Sequence, residues 1–248
     1  MIPGSVVPAF LDPGTWSGCF GESLLHLLMY DGTSRGRCLA YLREMAGTSG
    51  IPDARNHVVQ VFLDHTDGEW LWFVDTDMGF APDTVDRLVA SADPVERPVM
   101  GGLCFAHRRV ERTGLRAERF GIVPTLYRLL EHGGEVGFAP VADWPRDSVV
   151  EVGGTGAACL LIHRSVLEAV RVKHGDQWFA TITHPRGLGA QGPRTFSEDF
   201  SFCIRVAGLG LPVMVDTAVQ TTHHKGEIYL DLGSYDQQQA SVREAVPA

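Results

Sequence analysis

Two carboxylates that directly follow one apolar segment are the residues of this sequence best placed to do chemistry. Residues 70–74 (Trp-Leu-Trp-Phe-Val) are rich in aromatic and branched side chains and predict a buried strand. Asp75 and Asp77 come next, and Gly79 and Pro82 break the chain soon after. Ligands of open α/β sheets bind outside the carboxyl ends of the strands. Two carboxylates at such a place need a cation, and a divalent metal is the simplest one.

Two more groups with chemical potential occur late in the chain. Ser197 predicts a helix N-cap, and Glu198 and Asp199 then lie in the first turn, where either carboxylate is a candidate general base. His223 and His224 are adjacent in a predicted strand, so only one ring faces inward, and we favour His224. Carboxylates suit Mg²⁺ or Mn²⁺, and an imidazole ligand favours Mn²⁺.

Other interpretations of the Asp75-x-Asp77 pattern stay open at this point. An EF-hand loop would need a glycine where Phe80 stands, and a helix in place of the strand. A phosphatase of the haloacid-dehalogenase type would use Asp75 as nucleophile, although that pattern expects threonine or valine at Gly79. The acids at 75 and 77 could also cap a turn without metal, and Glu198 and Asp199 could simply complement the helix N-terminus.

Composition favours one sizeable soluble domain. The 248 residues are 44% hydrophobic and 21% charged, which is ordinary for a globular protein. The net charge of -9 argues against binding nucleic acid mainly through its phosphates. Five scattered cysteines without a CxxC pair indicate reduced thiols. We find no signal-peptide pattern and no apolar run of about 18 residues, so we expect a cytoplasmic protein without a membrane span.

The first part of the chain alternates predicted strands and helices, which favours a mostly parallel sheet covered by helices. The strands are predicted at 6–10, 37–42, 70–74 and 99–105, and the helices at 23–29, from 51 and from 84.

The second part is less regular. Five arginines between 107 and 119 indicate a solvated loop, or alternatively a mobile loop that closes over an anionic ligand. A hairpin is predicted over 125–130 and 135–141, a strand over 157–162, a helix over 164–172, and strands at 213–215 and 219–224. The polar tail from Asp231 is expected to be loose or bound to a partner.

Taken in order, several segments resemble the GT-A glycosyltransferases, and most closely the family-2-like enzymes that use nucleotide sugars. The resemblance extends from Val6 to about Tyr229. The matching segments are Ala54-Arg55-Asn56, the DxD-like residues 73–78, the glycine-rich turn at 153–157 with the strand at 160–164, the "ED" segment 197–200, and His223 or His224.

The resemblance implies a GT-A (Rossmann-like) α/β fold with a mostly parallel central sheet flanked by helices and a small β-hairpin region on the acceptor side. It implies one domain over residues 1–230, with a nucleotide-binding half at about 1–106, an acceptor half at about 120–230, and a polar tail at 231–248. The implied activity is metal-dependent, inverting transfer of a sugar from a nucleotide sugar to an acceptor hydroxyl. The expected cofactors are Mn²⁺ (or Mg²⁺) and a UDP-sugar donor.

The resemblance also assigns roles to residues. Asp77 would ligate the metal, Asp75 would hold the ribose or reach the metal through water, and one histidine of the pair would complete the sphere. Asp199 would deprotonate the acceptor, while Glu198 could position it.

Smaller assignments cover the rest of the expected site, each with a packing role as its alternative. Near the donor we place Thr15, Trp16, Arg55, Asn56, Gly101 and Gly102, and near the acceptor Gly154, Thr155 and Trp178. The first strand lacks the usual small polar residues before the nucleotide, and Asp12 is a candidate to replace them. A protein or small glycoside is favoured as acceptor over nucleic acid. The other function classes considered are a non-catalytic sugar-nucleotide-binding scaffold and the phosphatase based on Asp75.

Overall fold

The computed structural model of the chain describes residues 1–34, 36–46, 50–110, 119–189, 192–226 and 228–244. Within these ranges the helices are α1 (Gly18–Thr33), α2 (Ile51–His65), α3 (Thr84–Ser91), α4 (Arg164–His174), α5 (Glu198–Ala207) and α6 (Leu232–Glu244). Its strands are β1 (Ile2–Asp12), β2 (Leu42–Met45), β3 (Gly68–Val74), β4 (Met78–Phe80), β5 (Val99–Leu103), β6 (Phe105–Val110), β7 (Arg119–Pro124), β8 (Tyr127–His132), β9 (Glu135–Pro140), β10 (Val149–Val152), β11 (Cys159–His163), β12 (Thr183–His184), β13 (Arg194–Thr195), β14 (Val213–Lys225) and β15 (Ile228–Leu230). None of the described helices has the length and apolar character needed to cross a membrane.

A mixed central sheet organises the molecule, with strand order β10-β14-β5-β11-β3-β1-β2. The strands β2, β1, β3, β5 and β14 run in one direction, because β11 is antiparallel to both β3 and β5 and β14 is parallel to β5. Only β10 and β11 oppose them along this path. The predicted mostly parallel α/β architecture is therefore confirmed.

Both faces of the central strands are buried, which explains their nearly continuous apolar sequences. On one face, Leu71 and Phe73 of β3 pack in a core with side chains of α2, α4 and α5. On the other face, Trp70 and Trp72 pack in a second core with side chains of α1 and α3. Residues that alternate along β3 thus enter two separate cores, and the strand that leads to Asp75 is held rigidly from both sides.

Arg164 fixes the carboxyl end of α2. Its guanidinium donates to the carbonyl oxygens of Phe62 (3.1 Å), Leu63 (3.1 Å), Thr66 (2.8 Å) and Gly68 (2.8 Å). It also lies 4.4 Å from the centre of the Phe62 ring. The last carbonyls of a helix have no partner within that helix, and a buried arginine supplies the missing donors here. The far end of α2 is thereby anchored to the start of α4.

The strand β14 is the main departure from the predicted elements. Two strands are predicted at 213–215 and 219–224, but the structure has one strand from Val213 to Lys225. Its register against β5 shifts between Asp216 and Gln220, so the chain continues beyond β5 and pairs with β4. His223 then lies opposite Met78, directly beside the turn that carries Asp77.

The arginine-rich segment is also more regular at its edges than predicted. In place of a continuous loop over 107–119, β6 and β7 pair antiparallel from Phe105↔Pro124 to Val110↔Arg119. The expectation of a loop over 111–118, including Arg112 and Arg116, lies outside the described residues. The predicted hairpin is confirmed as β8 and β9, whereas the strand predicted at 37–42 is replaced by β2, four residues long.

The tail beyond Asp231 is not loose over residues 232–244, which form α6. Tyr235 is 8% exposed and its ring lies 5.5 Å from that of Phe105 and 5.2 Å from that of Trp144. The Gln238 amide both accepts from the backbone N–H of Ile122 (2.8 Å) and donates to its carbonyl (3.0 Å). The Tyr235 ring and the two hydrogen bonds of Gln238 hold this polar helix against the rest of the protein. Hydrophobic periodicity does not predict such a helix, because few of its residues are apolar.

Candidate functional site

A cleft of about 500 Å³ lies where β1, β2 and β3 reach their carboxyl ends. Leu11 and Ile51 are among its apolar lining residues. Its charged residues come from four parts of the chain that the fold brings together, namely Arg55 on α2, Asp75 and Asp77 after β3, Glu198 on α5 and Lys225 at the end of β14.

The carboxylate of Asp77 has two cationic or potentially cationic partners. Its Oδ2 lies 2.6 Å from Nζ of Lys225 and 3.2 Å from Nε2 of His223. Burial alone would raise the pKa of Asp77, but hydrogen bonds from His223 and Lys225 outweigh it and lower the pKa to about 2. Asp77 is therefore an anion at neutral pH.

The two histidines have different surroundings. Nδ1 of His223 lies 2.8 Å from the carbonyl oxygen of Phe105, which can only accept, so Nδ1 carries the hydrogen. Nε2 donates to Asp77 when it also carries a hydrogen, and it can offer its lone pair to a metal when it does not. A ring whose other nitrogen is fixed by a carbonyl is typical of metal-binding histidines. His224 instead stacks on Tyr229, with ring centres 4.6 Å apart, and its backbone N–H donates to the Asp77 carbonyl (2.8 Å).

Asp75 belongs to a second charge group, centred on Arg55. The guanidinium of Arg55 is 4% exposed; its Nη2 donates to Oδ1 of Asp75 at 2.8 Å, and its Nε lies 3.7 Å from Oε1 of Glu198. The rings of Phe73 and Phe179 flank it at 5.0 and 5.8 Å. Arg55 thus joins the residue that follows β3 to the first residue of α5.

Glu198 is partly buried between charged neighbours. Burial, reinforced by the nearby charge of Asp199, raises the pKa of Glu198, while Arg55 opposes the rise. A carboxylate with a raised pKa is a stronger base than an exposed one. Glu198 lines the cleft beside Arg55.

Asp199 lies beside the glycine-rich turn. Its Oδ1 accepts hydrogen bonds from the hydroxyl of Ser197 and from the N–H of Phe200 (2.8 Å). Its Oδ2 would lie 3.7 Å from a Cβ added to Gly156. Ser197 is the N-cap residue of α5, as predicted, but its hydroxyl bonds to Asp199 in place of a backbone amide.

Besides Arg55 and Asp75, three of the residues expected at the donor lie at or near the cleft. Thr15 and Trp16 line it; Trp16 is 43% exposed, and its ring makes T-shaped contacts with Phe10 and Phe20. Asp12 is buried under this wall, where it accepts from the Gly14 N–H (2.7 Å) and pairs with Arg43. Arg43 also lies 5.8 Å from the Trp16 ring centre.

Asn56 has a structural partner. Its Oδ1 accepts from the N–H of Phe179 (2.7 Å) and so fixes the segment that presents Phe179 to Arg55. The structure therefore gives Asn56 a place behind the cleft.

The remaining expected residues are packed inside the protein. Trp178 is fully buried and donates its indole N–H to the Leu167 carbonyl (2.8 Å), so it has no face open to a sugar. A Cβ on Gly102 would lie 2.9 Å from Sγ of Cys159, and one on Gly101 would lie 3.3 Å from Val215. A Cβ on Gly154 would meet the Phe138 ring at 2.7 Å, and Thr155 is 1% exposed. Close packing explains these residue types.

Lys225 is the site residue that sequence reasoning missed. It is two positions beyond His223 on the same strand, and side chains two apart in a strand point to the same side. Given an inward-facing His223, that spacing alone would have predicted an ammonium beside the same carboxylate.

The residues fit a divalent metal only as a pair of donors. Within the ranges that the structure describes, no group of three or more His, Cys, Asp or Glu side chains is arranged to hold a metal ion. Asp77 and His223 nevertheless offer one carboxylate oxygen and one imidazole nitrogen 3.2 Å apart, a donor set that suits Mn²⁺. Such a site is complete only when a ligand supplies further oxygens, and Lys225 competes for the same Asp77 oxygen.

Comparison with known proteins gives information on the fold. No family model matches the chain, and no curated protein matches it. Among solved structures, A197 from STIV is similar at a TM-score of 0.54 and 17% identity, over 93% of this chain and 91% of that one. The inositol-1-phosphate CTP transferase from T. maritima gives a TM-score of 0.44 at 10% identity, over 100% of both chains. A glycosyltransferase involved in the glycosylation of the major capsid of PBCV-1 gives 0.35 at 12% identity, over 68% and 64%. Scores below 0.5 carry no argument, so the chain is shown to share a fold with A197, and its function has to be inferred from the cleft.

Proposed function

We propose that this protein is a metal-dependent glycosyltransferase of GT-A architecture that moves a sugar from a nucleotide sugar to an acceptor hydroxyl. The observation that carries the proposal is the grouping of Asp77 and Lys225 in one cleft with Arg55, Asp75 and Glu198, with the His223 ring in contact with Asp77. Asp77, His223 and Lys225 suit a diphosphate with its metal, and Arg55, Asp75 and Glu198 suit the orientation of an acceptor. We propose a UDP-sugar as donor and a protein or small glycoside as acceptor.

On the donor side, the leaving group is a nucleoside diphosphate that gains negative charge as the bond to the sugar breaks. Asp77 and His223 would hold Mn²⁺ (or Mg²⁺), which supplies Lewis-acid stabilisation of the departing phosphate oxygen when it is bound. Lys225 adds a cation on the same wall. Trp16, which lines the cleft and is 43% exposed, would be an aromatic contact for the base.

On the acceptor side, a carboxylate accepts the proton of the acceptor hydroxyl while its oxygen attacks the anomeric carbon opposite the leaving group. The new carbon–oxygen bond forms as the bond to the phosphate oxygen breaks, and that electron pair leaves with the diphosphate, so the configuration inverts. We assign the base to Asp199 and the orientation of the acceptor to Glu198, which Arg55 holds in place. Asp199 is held in turn by Ser197 and the Phe200 N–H.

Calorimetry tests the donor half of the proposal. We expect UDP to bind in the presence of Mn²⁺ more tightly than GDP or CMP, and Asp77→Ala to abolish the metal dependence. Failure of every nucleotide to bind with Mn²⁺ would contradict the proposal.

Transfer assays test the acceptor half. Asp199→Asn should retain nucleotide binding and lose turnover, including the slow hydrolysis of the donor by water. Retained turnover in this variant, together with its loss in Glu198→Gln, would move the base assignment to Glu198. A wild-type protein that binds the donor and never hydrolyses it would instead be a non-catalytic scaffold.

A further inference from the structure

The inference concerns Lys225, the last residue of β14. Its ammonium lies 2.6 Å from Oδ2 of Asp77, and its side chain is 51% exposed and lines the cleft. A half-exposed lysine on a flexible stem can leave one partner for another at little cost in packing. Gly226, which follows it with φ of +64°, begins the turn into β15.

The contact with Asp77 compensates the charge of a partly buried carboxylate. Oδ2 of Asp77 lies 2.6 Å from Nζ of Lys225 and 3.2 Å from Nε2 of His223. A carboxylate that is partly withdrawn from water is costly unless a cation lies beside it. The Lys225 ammonium supplies that cation in the protein alone. A divalent metal would supply it better, because it would bind the carboxylate oxygen and the imidazole nitrogen directly.

The Lys225 ammonium and a bound metal exclude one another, because each needs Oδ2 of Asp77 and two positive charges at this distance repel. A displaced Lys225 then requires a new anion. The other carboxylates that line the cleft, Asp75 and Glu198, are already paired with Arg55. The anion that would enter the cleft together with the metal is the diphosphate of the donor.

We propose that Lys225 is an exchangeable cation: it pairs with Asp77 when no ligand is bound, gives way to the metal, and then binds a phosphate oxygen of the nucleoside diphosphate. This inference rests on the proposed function and adds a donor-binding residue to it. It explains how two protein donors can form a metal site that assembles only with its nucleotide. Premature metal binding is opposed by Lys225, and binding with the nucleotide is favoured by the same residue.

If Lys225 exchanges partners in this way, Lys225→Met should change the affinities for Mn²⁺ and for UDP in opposite directions. Mn²⁺ binding to the protein without nucleotide should tighten about tenfold, because the competing ammonium is gone. UDP binding in saturating Mn²⁺ should weaken about tenfold, the scale of one charge-assisted contact. A merely structural role would weaken both. Free Mn²⁺ is measured by its electron paramagnetic resonance signal, and UDP binding by calorimetry.

The chain offers a matched control, since Lys173 is its one other lysine. The Lys173 ammonium donates to the Gly208 carbonyl (2.7 Å) on the outer face of α4, and Lys173→Met should change neither affinity.

The small number of lysines also permits a test without mutation. Reductive methylation with ¹³C keeps both charges and gives two lysine signals. The Lys225 signal should shift once with Mg²⁺ and again with Mg²⁺ and UDP, while the Lys173 signal should stay in place.

The outcomes distinguish the two proposals. If Mn²⁺ and UDP bind to the wild type but Lys225→Met changes neither affinity, or lowers both, the exchange is wrong and the proposed function stands. If the wild type binds neither Mn²⁺ nor UDP, the proposed function fails and the exchange fails with it.

Discussion

Replacing Arg55 by methionine is the sharpest test of how the cleft is held together. Arg55 is the common partner of Asp75 and Glu198, and it lies between two aromatic rings inside the protein. The substitution keeps much of the side-chain volume and removes the charge. Two carboxylates from β3 and α5 would then approach one another without a cation between them.

The expected loss of stability follows from the burial of each group. Removing one partner of a fully buried ion pair costs about 3–5 kcal/mol. Asp75 is 35% exposed and Glu198 is 20% exposed, so water solvates both partly and the cost falls toward the lower end of that range. Loss of the cation–π contact with Phe73, 5.0 Å away, adds about 0.5–1 kcal/mol. We expect Arg55→Met to lower the free energy of unfolding by about 3 kcal/mol at pH 7.

The loss of unfolding free energy in Arg55→Met should become smaller as pH falls. Burial already raises the pKa of Glu198 above its usual value of 4.5, and removing Arg55 raises it further. A carboxyl group whose folded pKa is raised destabilises the fold when pH exceeds that pKa, and the penalty disappears on protonation. The difference between wild type and Arg55→Met should therefore shrink as pH falls from 7 toward 4.5.

Urea unfolding followed by tryptophan fluorescence measures these differences. Arg146→Met is the matched control, because Arg146 pairs with Asp236 at 2.8 Å with both side chains about half exposed. An exposed pair contributes at most about 1 kcal/mol. Arg55→Lys should recover part of the loss through its charge. If Arg55→Met is no more destabilising than Arg146→Met, or if its effect grows as pH falls, then Arg55 does not neutralise the two carboxylates.

Two further predictions follow from contacts elsewhere. Arg164→Met should destabilise the protein by about 2–4 kcal/mol, because it leaves buried carbonyls at the end of α2 without donors. Amide hydrogen exchange should accelerate first at residues 62–66. Unchanged exchange at these residues would contradict the role given to Arg164. The lowered pKa of Asp77 contributes stability that is fully present above its unfolded value of 3.8 and is lost as pH falls through about 2. Urea unfolding across this window should show a smaller loss in Asp77→Asn than in wild type, and equal losses would exclude the stabilising interaction.

The general architecture was predictable because it depends on local patterns. The alternation of apolar strands and amphipathic helices up to Phe105 predicts a mostly parallel sheet, and the position of Asp75 and Asp77 at a strand end predicts a cleft beside them. These features need no knowledge of distant contacts. The predicted N-cap at Ser197 is of the same local kind.

The misses arise where distant contacts override local patterns. β14 was predicted as two strands because residues 216–218 are not a regular apolar run, yet Thr217 is fixed by hydrogen bonds to the 145–148 segment and the strand continues. The helix α6 depends on Tyr235 and Gln238, which find partners more than 100 residues away. Likewise, nothing in the sequence around Arg55 shows that its partners are Asp75 and Glu198 rather than a ligand.

The irregular register of β14 determines which histidine faces Asp77. What matters is the number of β14 residues in the irregular part of its pairing with β5. Asp216 pairs with Gly102 and Gln220 with Leu103, so three extra residues of β14 are accommodated where β5 advances by one. Because side chains alternate along a strand, loss of one residue among 217–219 would turn His224 toward Asp77 and carry Lys225 to the opposite side. Loss of two residues would keep the alternation of the strand relative to Asp77, but other residues would then occupy the positions of His223 and Lys225. The number of residues in this irregular part of β14 therefore matters as much as the identity of the residues after it. Together they decide which imidazole lies beside the Asp77 carboxylate and whether the Lys225 ammonium does.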